Sequence, residues 1–297
     1  MSLLVSYATY YNVILKETLR AVVKSQRSDL TLFDKGIGRD VYPQLRLDVP
    51  FARVLSGVRR CGKSTLLRQL MGKVKGFYYF NFEDPRAVNF EVGDFQRLDE
   101  VFSEGYGSQD YYFFDEIQNV QKWELFVRAI LDRGRHVIIT GSNASLLSRE
   151  LGSRLTGRHL RQELFPFSFN EFLRFTVKEA NIKSFQGYLM SGGFPEYLKV
   201  GRSDVLQELL NDILVRDIAV RHNLRNIKTV KEMALFLLTN VGKEFSYTSL
   251  KKTFNLGSTN SAISFVSYFE DSYLLFTVPR FDYSLKKQIV SPRKCIP

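Results

Sequence analysis

The sequence predicts an α/β protein: a parallel sheet covered by helices, then a helical segment, then a small module of helices and a hairpin. Three observations predict it. The stretch Gly57-Val58-Arg59-Arg60-Cys61-Gly62-Lys63-Ser64 fits the phosphate-loop pattern G-x-x-x-x-G-K-[ST] at every fixed position. Tyr111-Tyr-Phe-Phe-Asp115-Glu116 sets two carboxylates directly after an aromatic run, about 50 residues downstream. Strand-like and helix-like segments alternate from residue 39 to residue 160, the pattern of a parallel sheet with helical connections.

The first strand is Phe51–Ser56, and the helix after the loop is Thr65–Met71. Strand, glycine-rich loop and helix in that order place backbone N–H groups and a helix N-terminus around an oligophosphate. Lys63 reaches its β- and γ-phosphates, and the Ser64 hydroxyl is a ligand for Mg²⁺. The expected nucleotide-binding residues are Gly57, Val58, Arg59, Arg60, Cys61, Gly62, Lys63, Ser64 and Thr65. Cys61 stands beside a helix N-terminus and near Lys63. Both lower a thiol pKa, so a reactive thiol protected by bound nucleotide is expected there.

The next strands are Phe77–Phe82, Tyr111–Phe114 and His136–Thr140. The aromatic run before Asp115 suits a strand buried on both faces, and the carboxyl end of such a strand is where parallel sheets bind ligands. Asp115 there holds Mg²⁺ through water, and Glu116 orients or deprotonates an attacking water. After His136–Thr140 come Gly141-Ser142-Asn143. Asn143, with Ser142 next, is the candidate to bond a γ-phosphate or the lytic water. Either residue equally suits capping a helix that starts near Ala144.

Before this core, residues 1–35 carry Val13, Ile14, Leu15, Leu19, Val22 and Val23 at roughly helical spacing and read as a helical extension. The core proper spans 36–165. A helical lid or linker over 166–224 follows, with helices at Phe169–Phe175 and Ile182–Met190, a break at Ser191–Pro195, and a long helix from Asp204 to about Ala219. Residues 225–297 read as three helices, Thr229–Thr239, one capped by Ser246 and one capped by Ser258, then Tyr273–Val278 with Phe281–Tyr283 as a return strand. That is the order of a winged helix-turn-helix.

Composition narrows the class. The chain has 297 residues, 44% of them hydrophobic, enough for a sizeable core. No apolar run approaches the roughly 18 residues of a membrane helix, so a soluble, cytoplasmic protein is expected. Two cysteines and three histidines exclude a disulfide framework and an imidazole-built metal centre. The formal net charge is +11, and residues 225–297 hold 11 Lys/Arg against 5 Asp/Glu. That excess favours a polyanionic partner.

Taken together, these stretches resemble the bacterial and archaeal AAA-like P-loop ATPases that carry a C-terminal domain of unknown function. The likeness rests on residues 56–67, 79–86, 114–120 with Trp123, 139–143, Leu155–Arg158, Pro166–Phe172, Gly192–Glu196 and Val215–Ile218. It implies an ATP-binding core, a small helical segment and a winged helix. It also implies that Arg158 meets the γ-phosphate, often that of a neighbouring subunit, with Arg149 and Arg154 as rivals. Members of that family usually continue for roughly another hundred residues, so a truncated or short member is expected.

The function expected is hydrolysis of ATP with Mg²⁺ to drive a conformational change, on duplex DNA or on a protein. The alternative is a nucleotide-gated switch that turns over poorly and acts through the winged helix. Homo-oligomerisation fits either, and a membrane partner fits neither. The expected recognition helix, Thr259–Asp271, has no Lys or Arg. DNA contact therefore falls to Thr259, Asn260 and Ser261, and to Lys251, Lys252, Arg280, Lys286 and Lys287.

Overall fold

The inner strands of the main sheet are short and rich in apolar, β-branched or aromatic residues, which suits positions covered on both faces. The structure is a computed structural model that describes residues 14–32, 34–141, 155 and 157–296. Its strands are β1 (Ala52–Ser56), β2 (Tyr78–Asn81), β3 (Tyr111–Asp115), β4 (His136–Gly141) and β5 (His159–Glu163), in the order β2-β3-β4-β1-β5. All four pairings are parallel. Register sets Ser56 beside Gly141 and Glu163, and Asn81 beside Asp115, so the carboxyl ends share one edge.

Successive residues of β3 face opposite layers, as a strand's period of two requires. Phe114 joins Leu19, Val22, Phe80, Leu98, Val127 and Ile130 in one apolar cluster. That layer is built by α1 (Lys16–Leu32), α3 (Asp94–Tyr106) and α4 (Trp123–Asp132). The residues read as an N-terminal extension thus contribute Leu19, Val22 and Val23 to the core. Phe113 faces the other way, against Leu66, Leu67 and Leu70 of α2 (Lys63–Met71). Phe80, Phe113 and Phe114 are fully buried. Each such burial is worth about 1.5–3 kcal/mol relative to exposure.

After β5 the chain turns helical. Helix α5 (Phe169–Thr176) opens with a capping box in which Ser168 accepts from Glu171 N and Glu171 reaches back to Ser168 N. Then come α6 (Ile182–Ser191), α7 (Pro195–Val200) and α8 (Ser203–Asp212). The expected helix from Asp204 to Ala219 changes hydrogen-bonding pattern partway. From Ile213 to Val220 it is π-helical. Such wide turns are uncommon and tend to mark functional sites.

The C-terminal module runs α9 (Ile227–Thr239), β6 (Glu244–Phe245), α10 (Tyr247–Thr253), α11 (Thr259–Asp271), β7 (Phe276–Pro279), α12 (Leu285–Val290) and β8 (Arg293–Ile296). Ser246 and Ser258 cap α10 and α11 as expected. The return strand is β8, antiparallel to both β6 and β7, and not Phe281–Tyr283. Phe281 and Tyr283 are exposed and stack on each other edge to face. Among the described residues no strand pairs with Phe281–Tyr283, whereas Cys295 of β8 is buried against the module. The module does not stand apart. Ile213, Val230, Met233 and Phe269 share a single apolar cluster with Leu55, Leu66 and Leu67.

Candidate functional site

The phosphate loop leaves β1 at Ser56 and enters α2 at Lys63. Two glycines make its path possible. A Cβ at Gly57 would lie 2.0 Å from the Leu164 carbonyl, and Gly62 sits at φ +100°. Arg60, between them, also has positive φ, an unusual setting for a long side chain. The loop therefore holds its shape at some local cost, as ligand-binding loops often do.

That shape is fixed from beneath by buried Arg39. Its guanidinium donates to the Cys61 carbonyl at 2.9 Å, to the Phe165 carbonyl at 2.7 Å and to Glu171 at 2.8 Å. Glu171 thus caps its own helix and neutralises the cation that supports the loop. This explains the Pro166–Phe172 stretch, which sequence reading singled out without a role. Cys61 is buried, and its thiol donates to the Leu164 carbonyl at 3.2 Å. Burial pushes this thiol up, and it outweighs the pull of Lys63 and Arg39. The expectation of a lowered pKa is corrected: the neighbouring charges are present, but desolvation disfavours the thiolate more.

Lys63 is also buried, and its Nζ donates to the carbonyls of Gly57 at 3.1 Å and Val58 at 3.0 Å. It is folded over the concavity its loop encloses. Ser64 Oγ donates to Asp115 Oδ1 at 3.0 Å, which joins the loop to the acid pair. Thr140 of β4 completes the arrangement. Its hydroxyl bonds the same Asp115 oxygen and accepts from Glu116 N at 2.9 Å. Burial, then the charge of Glu116, holds the Asp115 carboxyl above the usual carboxylate range. Glu116 itself adopts a left-handed backbone, φ 52°, and its carboxylate accepts from Gln118.

A third carboxylate, Glu83, lies just beyond β2 and faces the same cleft. Burial, then Glu116, pushes it upward too. The cleft is about 470 Å³ and includes Arg59, Arg60, Lys63, Ser64, Glu83 and Glu116 in its lining. Beside it lies a more apolar cavity of about 300 Å³, lined by Ile37, Arg39, Phe167, Phe175 and Pro195. The two share Gly62, Thr65, Pro195 and Glu196. The two chambers join at the loop, and the second mixes the rings of Phe167 and Phe175 with charged Asp34, Arg39, Arg68 and Lys199.

Other predicted residues fall elsewhere. Arg158 lies at the amino ends of β1 and β5, where its carbonyl accepts from Ala52 N at 3.0 Å and its guanidinium pairs with Asp132. It is thus at the opposite end of the strands from its own chain's phosphate loop. Asn143, Ser142, Arg149, Arg154 and the helix expected near Ala144 lie outside the described residues.

Helix α7 and the π-helical segment close over the loop. Arg60 pairs with Glu196 at 3.1 Å and Asp212 at 3.2 Å. Arg59 makes two bonds of 3.1 Å to Asp217. Tyr273, just beyond α11, has its hydroxyl 2.9 Å from Ser56 Oγ and 3.1 Å from Glu163, with one proton to share between them, and accepts from Arg161. Sequence reading missed Arg39, Glu83, Thr140, Asp217 and Tyr273 as site residues. The available signal was that Glu83, Thr140 and Asp217 fall inside the short family-like stretches at 79–86, 139–143 and 215–218.

Sheet order, loop and acid pair fit a P-loop fold. Comparison with known proteins agrees: residues 51–173 match the AAA domain, and residues 182–296 match a domain of unknown function (DUF8612). An uncharacterised protein of Methanocaldococcus jannaschii is 34% identical over 273 residues, covering 85% of this chain and 61% of the relative. An uncharacterised protein of Haemophilus influenzae is 30% identical over 270 residues, covering 83% of this chain and 67% of the relative. The chain belongs to the family of this Haemophilus protein, and it spans about three-fifths to two-thirds of the length of these relatives. Among solved structures, AMPPCP-bound DnaA from Aquifex aeolicus is similar at 13% identity and a TM-score of 0.38, covering 88% of this chain and 91% of DnaA. Among the described residues, no helix is long and apolar enough to cross a membrane.

Proposed function

We propose that the chain binds ATP with Mg²⁺ and hydrolyses it to drive a conformational change. The observation that carries this reading is the hydrogen bond from Ser64 to Asp115, with Glu116 adjacent and Lys63 held over the loop. The oxygen donors of Ser64 and Asp115 fit a hard divalent cation, and a cation there would offset the desolvation that raises Asp115. Bound there, Mg²⁺ would draw charge from the phosphates. Lys63 would move from the loop carbonyls to the β- and γ-phosphates. Glu116 would turn from Gln118 to hold or take the proton of an attacking water. The apolar side of the second chamber, Ile37, Phe167 and Phe175, suits a purine base. On this reading residues 36–165 carry the nucleotide, 166–224 form the lid and 225–297 the output module. Arg158, remote from its own loop, would act on a neighbouring subunit's nucleotide if at all, and Asn143 remains the proposed γ-phosphate sensor.

The test is Glu116→Gln. ATP should still bind, and turnover should fall by about 10²-fold or more, the scale of a lost general base. Turnover equal to wild type would end the hydrolytic reading. The switch reading has one observation in its favour. The Glu116 carboxylate accepts from Gln118, a contact that a switch could keep with ATP bound. Poor turnover of the wild-type chain, with ATP bound, would select it.

For the output module we infer a winged helix. The order α9-β6-α10-α11-β7-β8 and the three-stranded antiparallel sheet support this. Its basic charge supports duplex DNA as partner, with Lys251 and Lys252 in the last turn of α10.

A further inference from the structure

Arg59 and Arg60 occupy variable positions of the phosphate loop, yet neither points freely to solvent. Arg60 is paired with Glu196 and Asp212, and both of its bonds are on the exposed side of the cleft. Arg59 is different. Its side chain is 20% exposed, and that of its partner Asp217 is 8% exposed. Nε bonds Oδ2 and Nη2 bonds Oδ1, both at 3.1 Å, in the parallel fork that a guanidinium makes with a planar anion. The remaining nitrogen lies 3.7 Å from Glu83. Glu116 is close enough to act on the same cation electrostatically. The lining of the cleft that would hold the terminal phosphate thus includes Arg59, Lys63, Glu83 and Glu116.

A terminal phosphate offers the same geometry as a carboxylate, with more charge. We infer that Arg59 is the chain's own contact for the terminal phosphate of a triphosphate, and that Asp217 is the latch it leaves when that phosphate arrives. The inference rests on the nucleotide reading of the loop and adds how the chain tells a triphosphate from a diphosphate. It also supplies the coupling. Asp217 is buried on the π-helical segment, beside Ile218, which is fully buried. Losing Arg59 leaves its carboxylate unpaired there, so the segment must shift to solvate it. Leu214 and Ile218 of that segment pack in the cluster that holds Met233 and Phe269 of the output module.

The test compares binding of Mg-ADP and of a non-hydrolysable Mg-ATP analogue by calorimetry. Lys63→Ala should lose both nucleotides. If it loses neither, the loop reading fails and this inference with it. Arg59→Ala should leave ADP affinity within about twofold and weaken the triphosphate analogue by roughly tenfold or more, the scale of a lost charged hydrogen bond. Asp217→Asn should strengthen the triphosphate analogue selectively, and the double variant should behave as Arg59→Ala alone. Should Arg59→Ala fail to fold, Arg59→Lys keeps the charge but not the fork, and should give a smaller, still triphosphate-selective loss. Equal effects of the Arg59 variants on both nucleotides, with Lys63 intact, would overturn the inference. So would weaker triphosphate binding in Asp217→Asn.

Discussion

At position 61 two electrostatic effects oppose each other. Lys63 and Arg39 favour a thiolate, and complete burial disfavours it. Burial is the larger cause, so the folded-state pKa is raised and the neutral thiol persists at neutral pH. A thiol reagent should therefore leave Cys61 unmodified in the native protein, with or without nucleotide, and modify it on denaturation; mass spectrometry of tryptic peptides reads the difference. Native labelling that Mg-ATP blocks would restore the expectation of a reactive, nucleotide-protected thiol. The residue scale also shows what a sequence can carry. Gly57, Lys63, Ser64, Asp115 and Glu116 are legible because a phosphate and a cation demand those groups at those spacings. Burial of a particular thiol is decided by Leu164, 103 residues away, and has no local signature.

At the scale of elements, the strands that were legible are those rich in apolar, aromatic or β-branched residues. The Tyr111–Phe114 and His136–Thr140 runs were found because their middle residues, Tyr112–Phe114 and Val137–Ile139, are aromatic or β-branched and buried. Strand β5 was not found. It lies at the sheet's edge, and His159, Leu160, Arg161, Gln162 and Glu163 are half-buried or exposed, so it has no hydrophobic period. The lid helices were legible through the breaks between them, and the cap of α5 has a second duty. Glu171 joins α5 to Arg39, 132 residues away in sequence. Removing this carboxylate would leave a buried guanidinium without its counter-charge, which costs about 3–5 kcal/mol. Glu171→Ala should lower the melting temperature markedly, and nucleotide affinity should fall with it, because Arg39 also holds the Cys61 carbonyl. A stability change within about 0.5 kcal/mol, the range of ordinary surface substitutions, would show that the pair supports nothing.

At the scale of the whole molecule, charge is unevenly spread, and the C-terminal module is the basic end. If Lys251, Lys252, Lys286 and Lys287 meet phosphates, duplex DNA should bind with a steep salt dependence, about −0.9 in log–log slope per contact. Replacing Lys251 and Lys252 together by Ala should flatten that slope by about 2 and leave ATP binding as it was. Absence of DNA binding at low salt would point the module toward a protein partner. The π-helical segment and the Arg59–Asp217 pair were invisible at this scale in the sequence, since the two residues are 158 positions apart.

Family comparison divides the chain between residues 173 and 182, but the apolar interior does not. Leu66 and Leu67 under the phosphate loop touch the same cluster as Val230, Met233 and Phe269, and Tyr273 is bonded to the strand that feeds the loop. Heat should therefore melt the two halves together. Scanning calorimetry should give one transition whose van't Hoff and calorimetric enthalpies agree, and two resolved peaks would refute this. A fragment cut at that boundary would carry half an interior turned to water, so the unit inherited as a sequence block is smaller than the unit that folds.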